Sequence, residues 1–219
     1  MSGAHLGAAT LLCAAFLAAG CDPTAPVRDC TGCTYDFEDT IPPNMFVFHW
    51  PVSRLPVRFY ADPRGAMPAL VSLGVAAWEA QFLYGEFRGV PTTDSSRADI
   101  IVQWTAGVPP DVAPDPGPPV AACDGATTNP AAVFTDSSVS VLHVTLSSRG
   151  GSYTDAQVAA CLRRVVIHEL GHALGLLKHS PSPFDIMNQL PTVALPSSAD
   201  RRTVEMLYHT PATVQPPPR

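Results

Sequence analysis

The sequence predicts an α+β domain, because strand patterns and amphipathic helical patterns follow one another along it. Residues 55–60 and 98–104 alternate apolar and polar side chains, as half-buried strands do. Between them, apolar residues at 67–82 recur at helical spacing, with a proline in the first turn. One or two further strands are indicated at 139–146, and a second helix begins after Thr154. We therefore expect helices packed on a sheet.

The first half of the domain has clear breaks between its elements. A segment containing proline and glycine ends the strand at 55–60, and the first helix begins near Met67. Trp78 lies on the apolar stripe of that helix, so we expect it to pack in the core. The strand at 98–104 leads into the proline-rich segment 108–122, which shows no periodicity and predicts a surface loop.

The second half contains two predicted helices. Thr154 and Gln157 form the pattern of a capping box, which predicts a helix start. Valines and leucines of this helix form a stripe that can be buried, while Arg163 and Arg164 are expected to face solvent. A last short helix at 199–209 has an apolar side and is followed by a proline.

The N-terminal residues resemble a targeting segment. Residues 1–20 are small and apolar, and their longest apolar run is too short to span a membrane as a stable anchor. They end in Ala18-Ala19-Gly20-Cys21, which is similar to the cleavage box of a bacterial lipoprotein signal, with Cys21 as the lipidated residue. Plain secretion with cleavage near the same point is the alternative. Either case predicts an extracytoplasmic protein, secreted or held at the cell surface.

Composition then suggests one domain at 51–210, a tether at 21–50 and a disordered proline-rich tail at 211–219. The formal net charge is −6, and no basic cluster suggests nucleic-acid binding. No later apolar run has membrane-spanning length, so membrane contact is expected only through a lipid on Cys21. The working expectation for the oligomeric state is a monomer.

The densest chemical signal is the segment His168-Glu169-Leu170-Gly171-His172. Residues four apart project from one face of a helix, so the two histidines can share one zinc ion. Glu169 can then act as general base towards a water at that ion. Gly175 allows the chain to leave the helix through a positive-φ turn, and His179 can return as a third ligand.

This pattern, followed by Met187 in the segment 182–188, resembles the signature of metzincin metallopeptidases of the matrixin type. One position departs from the signature. Where the family places its third histidine, three residues after the glycine, this chain has Lys178, and a protonated lysine is a poor ligand for a cation. We therefore assign the third ligand to His179, one residue later, with Asp185 as the substitute if His179 cannot reach.

The resemblance implies an α/β-type metzincin fold: a twisted mixed sheet, a long first helix, a zinc-binding helix, and a small C-terminal subdomain with a methionine turn and a terminal helix. It also implies an endopeptidase for extracellular proteins, with one catalytic zinc, Glu169 as general base and Met187 as the floor beneath the ligands. An extended peptide substrate is expected along an edge strand within 133–146. Residues 188–193 would line the pocket for the residue after the scissile bond. The alternative is a catalytically inactive surface binding module with a distorted zinc site.

Cysteines outside the leader suit disulfides of an oxidising compartment. If Cys21 is lipidated, Cys30, Cys33, Cys123 and Cys161 form an even set. Cys30 and Cys33 are close enough in sequence to pair, and a bridge from Cys123, in the long loop, to Cys161 would pin that loop to the zinc helix. Coordination of the zinc by Cys30 or Cys33 as an inhibitory thiolate is the less favoured alternative.

The sequence offers little for a second metal. Four aspartates carry carboxylates that could bind calcium: Asp111, Asp115, Asp124 and Asp136. They show no regular ligand spacing, so no motif supports a calcium site. A single histidine, His143, cannot form a second zinc site. We expect packing or surface roles for His143, His49 and His209.

Overall fold

The computed structural model describes residues 39–41, 44–107, 109–111, 121–136 and 139–219. The predicted signal peptide, the lipidation candidate Cys21 and the pair Cys30 and Cys33 lie outside these residues. None of the described helices is long and apolar enough to cross a membrane.

The strands and helices that the sequence predicts are present in the described residues, in the predicted order. The strands are β1 (Asp39–Ile41), β2 (Asn44–Phe46), β3 (Val57–Ala61), β4 (Gly89–Thr92), β5 (Ile100–Ala106), β6 (Cys123–Thr127) and β7 (Leu142–Ser148). The α-helices are α1 (Met67–Glu79), α2 (Pro130–Val133), α3 (Asp155–Leu174) and α4 (Ser198–Tyr208). The α+β class is confirmed, and the additions to the prediction are β4, β6, α2 and the short antiparallel pair β1–β2.

The main sheet is mixed, as expected, and has the order β4-β3-β5-β7-β6. Its first four strands are parallel, and β6 pairs antiparallel with β7. We expected the substrate-binding edge within 133–146, and this is wrong, because β7 lies inside the sheet and β6 is the edge. Cys123 is correspondingly the first residue of an edge strand, not part of a loop. β6 has no alternating apolar pattern, since its sequence is Cys-Asp-Gly-Ala-Thr, and periodicity does not report strand order.

Helix α1 packs closely on α3. At Gly74 a Cβ would lie 2.8 Å from side-chain carbons of both Val166 and Leu170, so the two helices approach at a residue without a side chain. Trp78 is fully buried and its indole Nε1 donates a 2.7 Å hydrogen bond to the carbonyl of Ile167. Trp78 therefore packs in the core as predicted, and it also fixes α1 against α3 next to His168.

Helix α3 has the predicted boundaries. The Thr154 side chain accepts from the Gln157 amide, and the Gln157 side chain accepts from the Thr154 amide, which completes the capping box. The helix ends at Gly175, whose φ of 114° is in the left-handed region that favours glycine. A Cβ there would also collide with the carbonyl oxygen of Phe48, so the end of α3 lies directly against the N-terminal segment.

The domain begins earlier than the predicted boundary at 51. Phe48 and Trp50, which composition placed in the tether, are fully or almost fully buried. Trp50 Nε1 donates a 2.9 Å hydrogen bond to the carbonyl of Ala173 in the last turn of α3. The few large apolar residues of this segment thus belong to the core, and the tether prediction is wrong for the residues from Val47 onwards.

The tail at 211–219 packs on the domain, contrary to the predicted disorder. Val214 is buried and forms a bridge with Phe48. Arg219 donates a 2.6 Å hydrogen bond to the carboxylate of Asp99, which is almost fully buried and also accepts from Arg54. A proline-rich composition lowers helix and strand propensity, but it does not prevent extended segments from packing.

Candidate metal centre

Three histidines converge at the end of α3. His168 and His172 project from one face of the helix, and His179 returns from the loop after Gly175. The Nε2 atoms of His168 and His172 lie 3.1 Å apart, and those of His172 and His179 lie 3.3 Å apart. Among the described residues, this is the group of three ligand side chains close enough to hold a metal ion. The predicted ligand positions are therefore brought together.

Backbone carbonyls orient two of the rings. Nδ1 of His168 lies 2.8 Å from the carbonyl of Ile186, and Nδ1 of His172 lies 2.5 Å from that of Leu176. A carbonyl can only accept, so each Nδ1 carries the proton and each Nε2 presents a lone pair to the cluster. Burial lowers the pKa of His168 to about 4 and that of His172 to about 3, so both rings are neutral near pH 7.

This donor set fits zinc. The neutral imidazoles of His168 and His172, whose lone pairs face one another at 3.1 Å, repel unless a cation lies between them. Zinc bound tetrahedrally by nitrogens at about 2.0–2.1 Å places those nitrogens about 3.3 Å apart. The carbonyls that accept from Nδ1 are the outer partners that zinc-binding histidines usually have. Imidazole ligands also favour zinc over calcium, for which oxygen ligands are required.

Asp185 does not belong to this group, and because His179 reaches the cluster, the substitute ligand is not needed. Its carboxylate is buried and accepts a 2.5 Å hydrogen bond from Ser180 Oγ and a 2.6 Å hydrogen bond from Ser197 Oγ. Those contacts join the loop after α3 to the start of α4. The one-residue offset of the third histidine is absorbed in the loop, and His179, not Lys178, is grouped with His168 and His172.

Glu169 lies on α3 beside the cluster and is 6% exposed. Thr127 Oγ1, at the end of edge strand β6, is 2.8 Å from Glu169 Oε2 and equally far from its backbone oxygen. Burial raises the pKa of Glu169 to about 7, and the hydrogen bond from Thr127 opposes that rise. At Gly125 a Cβ would lie 2.7 Å from Glu169 Cγ, so this glycine leaves room for the glutamate under the strand. Sequence reasoning missed Thr127 and Gly125, because nothing in the linear pattern pairs β6 with α3.

Met187 is fully buried beneath the helix, as the floor prediction requires. A Cβ on Gly171 would collide with Met187 Sδ and lie 2.7 Å from Trp78 Cζ2. The backbone of the methionine turn is held by Asp200 of α4, whose carboxylate accepts from the amides of Ile186, at 2.8 Å, and Met187, at 3.3 Å. Asp200 also closes the capping box of Ser197, and that sequence pattern was a signal that could have identified it.

A cavity of about 480 Å³ opens beside the histidines. Its walls come from β6, from the face of α3 before His168, and from residues 189–191, which were expected to line a pocket. The predicted disulfide between Cys123 and Cys161 is formed and lies in the wall between β6 and α3. Arg164 also lines the cavity and is 4% exposed, so its predicted exposure to solvent is wrong.

Other predicted residues stand apart from the centre. His143 lies in β7, where its amide and carbonyl bond to Thr128. His49 Nε2 lies 2.9 Å from the carbonyl of Thr210, and His209 pairs with Glu86. These three histidines have structural contacts, as expected.

Comparison with known proteins agrees with this geometry. The family model for matrixins matches residues 64–209, which include helices α3 and α4, the histidine cluster and the methionine turn. A search of curated proteins finds no match to the chain. The matched range covers well over half of the sequence, and it contains four of the five strands of the mixed sheet and the zinc-fitting donor set described above. The chain therefore belongs to the matrixins, a family of metzincin metallopeptidases.

Proposed function

We propose that this protein is a zinc-dependent endopeptidase that cleaves extended segments of extracellular proteins. The observation that carries the proposal is the carboxylate of Glu169, which is buried beside three convergent histidine nitrogens at the wall of an open cavity. A binding module has no need of a general base in that place. Membership in the matrixins supports the reaction class, peptide-bond hydrolysis.

His168, His172 and His179 would hold the ion. Zinc supplies Lewis-acid polarisation of a peptide carbonyl and lowers the pKa of an attacking water. Glu169 would take the proton from that water and deliver it to the leaving amine. Its pKa near 7 supports both steps, because the group can accept and release a proton close to neutral pH.

The edge strand supports an extended substrate. Within the described sheet, β6 pairs only with β7, so its other side can offer amides and carbonyls to an added strand. The cavity beside the histidines is large enough for a side chain of the bound peptide. Residues 189–191 and the Cys123–Cys161 bridge would then bound the subsite next to the scissile bond.

The test compares zinc content and cleavage in one preparation. Glu169→Ala should lower hydrolysis of a quenched-fluorescence peptide by about 100- to 10,000-fold while zinc content stays near one per chain. Glu205→Ala, on the far helix α4, is the matched control and should cleave as the wild type does. A zinc-loaded wild type that cleaves neither casein nor a peptide library would replace this proposal with the inactive binding module.

We also propose that the protein works outside the cytoplasm, with Cys21 as a lipid-anchor site. The Cys123–Cys161 disulfide supports an oxidising compartment. Labelling with a radioactive fatty acid should mark the wild type and not Cys21→Ala. Label retained by Cys21→Ala would exclude that anchor site, and recovery of the protein only in the cytoplasm would exclude the location.

A further inference from the structure

Two residues of the edge strand β6 lie against the glutamate of α3. Gly125 and Thr127 are two positions apart, so they face the same side of the strand. A Cβ at Gly125 would lie 2.7 Å from Glu169 Cγ and 2.9 Å from Oε1, whereas the Thr127 hydroxyl oxygen lies 2.8 Å from Oε2. The strand therefore leaves space for the glutamate side chain at one position and holds its carboxylate at the other.

The two oxygens of this carboxylate have different surroundings. Of the described residues, Thr127 alone donates a hydrogen bond to it, and the acceptor is Oε2. Oε1 has no hydrogen-bond partner within the described ranges, and Glu169 lines the cavity that opens beside the histidines. One oxygen is thus anchored to the strand, and the other is available to a group in the cavity.

The Thr127 hydroxyl also reaches the backbone of the residue that it holds. Its oxygen lies 2.8 Å from the backbone oxygen of Glu169 as well. Its single proton goes preferentially to the carboxylate, because an ionised acceptor forms the stronger hydrogen bond. A glutamate side chain has three rotatable bonds and samples several rotamers when nothing holds its end. A hydroxyl placed against both ends of the side chain limits that sampling.

We propose that Thr127 is a positioning residue for the general base: its hydroxyl anchors Oε2 of Glu169 and leaves Oε1 as the oxygen that receives the proton of the attacking water. The inference rests on the proposed peptidase function. Alignment of a reacting group contributes strongly to rate, and a base on an unheld side chain loses part of that contribution. Because Thr127 is the last residue of the strand proposed to bind the substrate, one strand would align both the substrate and the base.

The test separates the hydroxyl from the shape of the residue. Thr127→Val removes the hydroxyl and keeps the branched shape. For a quenched-fluorescence peptide, kcat should then fall about 10- to 100-fold, the range for one hydrogen bond to a charged group, while KM stays within about twofold. Thr127→Ser keeps the hydroxyl and should restore most of kcat. The matched control is Thr128→Val, which removes a hydroxyl that donates to the carbonyl of His143, and it should retain the wild-type kcat.

Crystal structures of the zinc-loaded variants give a readout that needs no turnover. The Glu169 carboxylate should occupy one position in the wild type and in Thr127→Ser, and it should be spread over several positions or turned away from β6 in Thr127→Val. Zinc content should be the same in all of them, because the hydroxyl contacts atoms of Glu169 and not of the histidines. Thr127→Ala, with a smaller side chain, covers the case in which Thr127→Val does not fold.

The outcomes separate this inference from the function on which it rests. A wild-type kcat in Thr127→Val, or a fall in kcat that Thr127→Ser does not restore, would overturn the positioning role and leave the peptidase intact. A rise in KM with unchanged kcat would also overturn it, since Thr127 would then act in substrate binding. If the wild type cleaves no peptide, the peptidase proposal fails and the crystal structures decide alone. An unmoved carboxylate in Thr127→Val would overturn the inference.

Discussion

The disulfide between Cys123 and Cys161 should be one of the largest single contributions to stability in this domain. It closes a loop with a sequence separation of 38 and joins edge strand β6 to the second turn of α3, seven residues before His168. The loop-closure relation for that length gives a stabilisation of about 4 kcal/mol at 25 °C, through the entropy removed from the unfolded chain. For a domain of this size, that corresponds to a fall of about 8–16 °C in Tm when the bridge is removed.

The assay is urea unfolding of the wild type and of the double variant Cys123→Ala with Cys161→Ala. The double variant leaves no unpaired thiol at this site, and the wild type in reductant should unfold at nearly the same midpoint. Because the bridge also bounds the cavity, the double variant should bind the quenched-fluorescence peptide more weakly, while its histidine cluster should still take up zinc. A loss of unfolding free energy below about 1 kcal/mol would refute the reasoning, since the loop would then be held by other contacts in both states.

The remaining predictions concern the metal centre and pH. His179→Ala should weaken zinc affinity by at least about 100-fold, which is more than the loss of a hydrogen-bond partner behind a ligand costs. Asp185→Asn should keep one zinc per chain. Competition for zinc with a chelating dye measures both variants, and the reverse result would restore Asp185 as the third ligand. Gly171→Ala should destabilise the domain by about 1–3 kcal/mol and lower its zinc content, because the added Cβ collides with Met187 Sδ. The control Gly150→Ala, whose added Cβ meets open space, should leave stability and zinc content unchanged. A hydrogen bond from the Arg64 side chain lowers the pKa of Asp62 to about 2. The ionised carboxylate therefore stabilises the folded state above about pH 4, and this contribution is lost as the pH falls to about 2. Asp62→Asn should therefore cost about 1 kcal/mol at pH 7, after allowance for solvent screening, and progressively less in urea titrations between pH 4 and pH 2; a constant difference would contradict the assignment.

Local sequence was sufficient for the elements whose signals lie within one or two helical turns. The spacing of His168 and His172 follows from helix geometry, and the capping box at Thr154 and the glycine at 175 mark both ends of the helix that carries them. The family signature added Met187 and the expectation of a third ligand. Ligand chemistry alone then preferred His179 over Lys178, and the observed cluster agrees with that preference.

Contacts between distant segments needed the tertiary structure. β6 has a weak strand pattern, yet it is the edge strand that brings Thr127 and Gly125 against Glu169. Phe48 and the tail around Val214 pack together across most of the chain length, although composition suggested that both segments were loose. Such pairings depend on which surfaces meet after the sheet has formed, and periodicity along the chain carries no information about that.

The same division applies to the chemistry. The sequence by itself determined that two histidines and a glutamate share a helix face, because a covalent spacing becomes a spatial one wherever the helix forms. Only the tertiary structure decided that Asp185 belongs to the serines at the start of α4 and that Arg164 lies in the cavity wall instead of in solvent. Helical spacing places a side chain on a face, but the neighbouring strand and loop decide whether that face meets water, core or a cavity.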